Sequence, residues 1–442
     1  MRIVIVGAGA IGSFLAEKLS LERLDVVVIE SDPEVAAVAQ AEIDCLVIEG
    51  NGASMETLKH AGIESADLLI AVSSSDAVNV LACSAGTRLG IPHKIARVED
   101  PHLKAEVEAL GVDLVIDPDA AASRELVALA SGGEVAEMIK FGNGDLVLIG
   151  GYVGQNAAIV GGTLAELRSK VVGWDWLVVA VIQGHETKIA RGDTTLEQGD
   201  HVLMMARTDA AEKAYKWLGL SSKPAEKVMI LGGTRLARLT AGLLAARGIH
   251  TTLIEPDMDR CRLIAEKYPK VVTVCGETSD RKLLESEGAG TADTVMALTG
   301  WDGENVLAGM IAKDLGAREV IARFSNTDLM GLGAGVGIDA TVSSRLSAAN
   351  EILRFVRRGA IHTVATFSDS EAEAIELEVG PDSHAVGKTL VELKLPHSLI
   401  IGGVQRGTDA FVPRGNTKIE AGDRLIVMAL PDAIADAEKL SG

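Results

Sequence analysis

Ile3-Val4-Ile5-Val6-Gly7-Ala8-Gly9-Ala10-Ile11-Gly12 opens the chain, and Val228-Met229-Ile230-Leu231-Gly232-Gly233-Thr234-Arg235-Leu236-Ala237 returns 225 positions later. Each is an apolar run of strand length that ends in a glycine turn and enters a helical pattern. In the first copy the glycines have separate tasks. Gly7 permits a tight turn, Gly9 lets backbone approach a pyrophosphate, and Gly12 lets the helix pack closely, with the helix N-terminus favouring the anion. Ala10 and Ile11 belong to that same loop. Glu30 ends the next apolar run, Val27-Val28-Ile29-Glu30. A carboxylate there hydrogen-bonds ribose hydroxyls and repels a 2′-phosphate, so NAD(H), or another nucleotide with free ribose hydroxyls, is expected over NADP.

The echo extends through the chain. At an offset of 226, Gly50 to Arg97 matches Gly276 to Arg323 at 16 of 48 positions. The tails repeat too, as Thr163-Leu164-Ala165-Glu166-Leu167 and Thr389-Leu390-Val391-Glu392-Leu393. Repeats of this kind set the architecture. The expected domains are 1–140, 141–222, 225–365 and 366–442, with Ser221-Ser222-Lys223-Pro224 as linker. Within 1–140, buried-strand patterns at Ile3–Val6, Val26–Ile29, Cys45–Ile48, Leu68–Val72 and Lys94–Val98 alternate with helical ones. That alternation predicts an α/β fold with a doubly wound parallel sheet, Rossmann-like, present twice. Residues 141–222 and 366–442 predict small α+β lobes with short alternating strands around Leu177–Val181, His201–Met205, Leu399–Val404 and Arg424–Met428. Ser370-Glu371-Ala372-Glu373 reads as a solvated loop.

Ligands sit beyond the carboxyl ends of parallel strands. Asn51 and Gly52 are therefore expected near an adenine, and Val72, Ser73 and Ser74 near the second ribose or the phosphates. Arg97, repeated as Arg323, suits either a phosphate or a neighbouring carboxylate. In the second copy Gly232, Thr234, Arg235 and Leu236 form the loop, Glu255 replaces Glu30, and Glu277 and Thr299 stand for Asn51 and Ser73. Thr234 adds a side chain where the phosphates come closest, and Arg235 adds a positive charge. Two readings stay open: a site for a more highly charged adenine nucleotide, or an empty vestige.

Composition excludes other classes. The balance of 42 basic and 62 acidic residues gives −20, which opposes nucleic acid. Cys45, Cys83, Cys261 and Cys275 contain no C-x-x-C pair, so no metal site is expected. The N-terminus lacks signal-peptide features, and the uncharged window Leu146–Ala165 is broken by glycines, so no membrane insertion is expected. An NAD-dependent dehydrogenase would need a proton donor beside the nicotinamide; the small lobes show no such constellation, so no catalytic residues are assigned.

With Glu30-Ser31-Asp32-Pro33, Glu49-Gly50-Asn51-Gly52 and Ala71-Val72-Ser73-Ser74-Ser75-Asp76 leading to Asn79, followed by a small lobe and then the whole repeated, the chain resembles the TrkA family of Trk potassium-uptake regulatory proteins. The resemblance implies two RCK modules, each a Rossmann-like lobe (RCK_N) and a small C-terminal lobe (RCK_C). It implies a cytosolic, peripheral, homotetrameric ring docked on a TrkH-type potassium channel, with NAD(H) and ATP or ADP gating potassium flow. A regulator of a potassium efflux antiporter shares the module and stands as the alternative.

Overall fold

A computed structural model describes residues 1–132, 137–154, 157–171, 173–183, 186–219, 225–356, 361–367 and 370–442. The expected linker at 221–224 lies outside them.

In chain order the first Rossmann-like lobe comprises β1 (Arg2–Val6), α1 (Ala10–Leu21), β2 (Asp25–Glu30), α2 (Pro33–Glu42), β3 (Leu46–Glu49), α3 (Met55–His60), β4 (Leu68–Ala71), α4 (Asp76–Leu89), β5 (His93–Arg97), α5 (Lys104–Ala109) and β6 (Leu114–Ile116). All its strands are parallel, in the order β3-β2-β1-β4-β5-β6. The strand order reverses between β1 and β4, which opens a crevice at their carboxyl ends. Successive strand residues face opposite layers. Ile3 and Ile5 thus join one core with Leu15 and Leu19 of α1, while Val4 and Val6 join another with Leu58 of α3 and Ala82 of α4.

After α6 (Pro118–Gly132) comes a small lobe of β7 (Glu137–Phe141), β8 (Leu146–Tyr152), α7 (Leu164–Lys170), β9 (Trp176–Gln183), β10 (Glu186–Ile189), β11 (His201–Arg207) and α8 (Ala211–Leu218). Its strands are antiparallel, in the order β10-β9-β11-β8-β7. The second Rossmann-like lobe runs β12 (Lys227–Leu231), α9 (Arg235–Ala246), β13 (His250–Glu255), α10 (Met258–Lys267), β14 (Val272–Cys275), α11 (Arg281–Ser286), β15 (Thr294–Ala297), α12 (Asp302–Leu315), β16 (Glu319–Arg323) and β17 (Ala340–Val342). It repeats the first sheet as β14-β13-β12-β15-β16-β17. Then follow α13 (Ser344–Val356), β18 (Ile361–Phe367), β19 (Ser370–Glu378), α14 (Leu390–Leu393), β20 (Leu399–Arg406), β21 (Asp409–Phe411), β22 (Arg424–Ala429) and α15 (Ile434–Glu438), with sheet order β18-β19-β22-β20-β21. The architecture is two Rossmann-like sheets, each followed by an antiparallel lobe.

Three expectations shift. β7 and β18 join the small sheets, so both lobes begin several residues before 141 and 366, because each strand hydrogen-bonds only to the lobe that follows it. Ser370–Glu373 opens the interior strand β19 rather than forming a loop: Ala372 and Ala374 are buried and Glu373 is 1% exposed. Pairing on both edges overrides the local polarity.

The chain divides into two compact units, residues 1–121 with 344–357 and residues 122–343 with 358–442. The division reflects which helix covers which sheet. In the first unit Ala348, Ala349, Ile352 and Leu353 of α13 pack into the core that holds Ile3, Ile5, Val28 and Ile70. In the second unit Leu126, Val127 and Ala130 of α6 pack with Ile230, Leu236 and Met296. Each Rossmann-like sheet is thus covered by the helix that follows the other one. Also within the second unit, Arg191 Nη2 donates to the carbonyls of Pro396, His397 and Leu399 at 2.9, 3.0 and 2.9 Å, and Arg414 Nη2 donates to Asp175 Oδ1 at 3.0 Å. These contacts tie the small lobes to each other.

Leu353→Ala is expected to cost about 2–5 kcal/mol, the usual penalty for emptying a buried leucine site. Hydrogen exchange read peptide by peptide checks it: protection should fall in β1, from the distant half of the sequence, and be retained in β12.

Candidate nucleotide sites at the two sheet switch points

Sterics fix the first loop. Gly7 has φ +102°, and a Cβ there would sit 2.8 Å from Ser73 Cα. A Cβ on Gly12 would lie 1.9 Å from the Gly7 carbonyl oxygen, so only glycine lets α1 start against β1. At Gly9 a Cβ would meet nothing within 4 Å, and the residue is exposed. The space above Gly9 is open to a ligand. Ala10 is exposed with it, whereas the Ile11 side chain is 5% exposed and belongs to the core, leaving only its backbone for the loop. Gly52 passes under the same strand end, where a Cβ would collide with Val6 Cγ1 at 2.1 Å.

The two acidic residues serve the loops themselves. The Ala8 amide donates to Glu30 Oε2 at 2.6 Å, and the amides of Ser31 and Asp32 donate to Oε1 at 2.7 and 3.0 Å. In the second copy the Gly233 amide donates to Glu255 Oε2 at 2.5 Å and the Asp257 amide to Oε1 at 3.0 Å. Each carboxylate staples its glycine loop to the neighbouring strand. A carboxylate has about four acceptor positions. Glu30 Oε2, with one amide donor, keeps capacity for a hydroxyl.

A buried asparagine sets the far wall in both copies. Asn79, fully buried, accepts from the Ser73 amide at 2.9 Å and hydroxyl at 2.8 Å and donates to the carbonyls of Ser73 and Arg97 at 3.0 and 2.9 Å. Asn305 accepts from the Thr299 amide at 2.8 Å and donates to the carbonyls of Thr299 and Arg323 at 3.3 and 2.9 Å. The Ser73 hydroxyl is thereby engaged, Val72 is buried, and Ser74 is exposed. The Asn51 side chain folds back to accept from the Ala53 amide at 2.9 Å.

Among the repeated arginines, Arg97 pairs with Glu99 and Arg323 Nη1 donates to the Thr299 carbonyl at 3.0 Å. Both guanidiniums brace strand ends. Arg323 is not part of the second cleft's lining, nor are Leu236, at 1% exposure a core residue, and Glu277, whose place is taken by Thr278.

That second cleft measures about 570 Å³; its lining includes Gly232, Gly233, Thr234, Thr278, Thr299 and Trp301, the cations Arg235, Arg238 and Arg260, and the carboxylates of Glu255 and Glu304. The Thr234 side chain does not obstruct it. Its hydroxyl turns inward, donating to the Leu298 carbonyl at 2.7 Å and accepting from the Ala237 amide at 3.2 Å as the cap of α9. Arg238 lies one turn beyond Arg235, and Arg260 sits in the first turn of α10, 3.7 Å from Glu255 Oε1. The backbone amide of Arg260, chief among several causes, holds the cap carboxyl of Asp257 below the usual carboxylate range. Trp301 is 77% exposed at the rim. The sequence reading missed Arg238, Arg260 and Trp301; the spacing of three between Arg235 and Arg238, which puts both on one helix face, was the available signal. In the first copy Ala10, Ser13 and Val35 occupy the positions of the three arginines.

Comparison with known proteins follows the duplication. The TrkA-N domain model matches residues 3–118 and 228–344, and the TrkA-C domain model matches 152–219 and 374–442. The chain belongs to the TrkA family. The Trk system potassium uptake protein TrkA homolog of Archaeoglobus fulgidus is 33% identical over 446 residues, covering all of both chains. The Trk system potassium uptake protein TrkA of Azorhizobium caulinodans is 30% identical, covering all of this chain and 98% of its own. In structure the chain is similar to the GsuK RCK domain, with TM-score 0.60 and 18% identity over all of this chain and 95% of that one. It is also similar to the GsuK channel bound to NAD, with TM-score 0.61 and 17% identity over all of this chain and 79% of that one. The latter two likenesses establish the shared RCK fold.

Gly9→Ala and Gly12→Ala should separate in effect. Gly9→Ala fills open space, so stability should stay within about 0.5 kcal/mol, while ligand binding at the first loop is lost. Gly12→Ala should lower the melting temperature as well, since the obstructing atom is backbone. Thermal melts beside calorimetric titrations of both variants read the difference.

Proposed function

We propose that the chain is a nucleotide-sensing regulatory subunit of potassium uptake rather than an enzyme. The observation that carries this is the doubled switch-point site, kept in geometry and altered in charge, on a chain whose full-length relatives are named as potassium uptake proteins. The first site suits NAD(H): Glu30 holds the loop and keeps acceptor capacity for a ribose hydroxyl, and its charge opposes a 2′-phosphate. The second suits ATP or ADP, because Arg235, Arg238 and Arg260 meet at a helix N-terminus where phosphates are favoured. Trp301 offers an exposed aromatic surface at the same rim. Arg235 and Thr299 are assigned to that site; Asn51, Ser73 and Ser74 to the first.

The partner we assign is a TrkH-type membrane channel, met at the inner face of the membrane by a homotetrameric ring. Among the described residues no helix is long and apolar enough to cross a membrane. A ligand moves a conformational equilibrium only through differential affinity, and a swing from 1:99 to 99:1 takes about 5.5 kcal/mol. Two unlike sites per chain, multiplied around a ring, supply that in portions.

Calorimetry on the full chain with NADH, NADPH, ATP and ADP tests the assignment. Glu30→Ala should weaken NADH about tenfold, equivalent to about 1.4 kcal/mol, and leave ATP unchanged. Arg235→Ala with Arg238→Ala should do the reverse. Potassium flux through the channel in proteoliposomes should then follow nucleotide occupancy; flux indifferent to every nucleotide would defeat the regulatory reading.

A further inference from the structure

The second cleft has a feature behind its wall that the first lacks. Cys261, buried in the first half of α10, donates its thiol to the Glu255 carbonyl at 3.1 Å and lies 3.9 Å from the Val274 carbonyl oxygen. Cys275 ends β14 directly opposite Glu255 in the ladder, is exposed, and has its Sγ 3.6 Å from the Pro256 carbonyl oxygen. The two sulfurs therefore converge on consecutive carbonyls of one turn, and Cys261 Sγ also approaches the carbonyl of Val274, the residue just before Cys275. That turn supplies Glu255, Pro256 and, through α10, Arg260 to the cleft. The corresponding residues of the first copy are Ala36 and Glu49. Cys83 is buried against the Ile95 carbonyl, and Cys45 lies in the other unit from the pair.

We propose that Cys261 and Cys275 form a reversible disulfide that makes the second nucleotide site responsive to thiol redox state. The oxidant is a small-molecule disulfide of the oxidised-glutathione class. The Cys275 thiolate attacks one of its sulfurs, the sulfur–sulfur bond breaks, and one thiolate leaves and takes up a proton. Cys261 then loses its proton and attacks the Cys275 sulfur of the mixed disulfide, forming the internal bond and releasing the second thiol. Two protein thiols are oxidised and one disulfide is reduced to two thiols. The order follows from exposure. Burial and the neighbouring Cys275 thiol push the Cys261 thiol up to about 12, so Cys275 acts first and proximity drives the second step. In a reducing compartment such a bond is transient and suits sensing. A sulfur–sulfur bond of about 2.05 Å must draw Cys261 off the Glu255 carbonyl and turn the start of α10, moving Arg260 away from the phosphates.

The disulfide stands apart from the nucleotide assignment; its effect on binding rests on that assignment, and the experiment separates them. Full-length chain is titrated with oxidised glutathione, followed by thiol counting and non-reducing peptide mapping. Two of the four thiols should disappear, one peptide pair should join Cys261 to Cys275, and dithiothreitol should reverse both. Cys261→Ser should stop at a glutathione adduct on Cys275, and Cys275→Ser should form no cross-link, each melting like the parent. Four persistent thiols, or a parent chain that stops at the adduct, overturns the disulfide. ATP should bind the oxidised chain about tenfold more weakly than the reduced one, with Cys275→Ser indifferent to oxidant. Equal affinity in both states overturns the coupling. A reduced chain that binds no ATP or ADP defeats the second-site assignment and the coupling with it, while the thiol count still judges the disulfide.

Discussion

A parallel sheet has two apolar faces to bury, and neither Rossmann-like sheet here buries both with its own segment. Ile3, Ile5, Val28 and Ile70 need a cover that α1 supplies only in part; Ile352 and Leu353, from the other end of the chain, complete it. Val127 and Leu126 do the same for Ile230 and Met296. Each fully buried aliphatic side chain contributes about 1.5–3 kcal/mol, a large share of the 5–15 kcal/mol by which a domain is stable. The switch-point crevices depend on this burial, because the strand ends that form them are held by the sheet beneath.

On that common frame the two crevices diverge in electrostatics while keeping the same mechanics. In both, an acidic residue accepts from a loop amide and a buried asparagine clamps the end of the fourth strand. Those contacts are backbone-directed, so they preserve shape whatever the ligand. The side chains outside the clamp differ: Ala10, Ser13 and Val35 in one copy, Arg235, Arg238 and Arg260 in the other. Three residues thus change from neutral to cationic while the strand order stays the same.

The alternating strand and helix periods made the sheets legible, as did the offset that aligns Gly50–Arg97 with Gly276–Arg323. Helix exchange was not legible, because an amphipathic pattern such as that of α13 tells which residues seek a core and not whose core. The edges of the small lobes were hidden for a similar reason: β7 and β18 are short runs of mixed polarity, and only their pairing decides to which sheet they belong. At the sites, glycine chemistry could be read directly, since φ and close approach admit no other residue. Roles set by side-chain direction could not. Leu236 turned into the core, Thr234 capped its own helix, and Arg97 and Arg323 braced strand ends.

One module alone would leave a sheet face covered only in part and a helix without the core it packs into. Two identical modules meet both needs at once by lending each other that helix. With both modules in one chain the loan is internal, and the two halves are free to differ in the residues around their glycine loops.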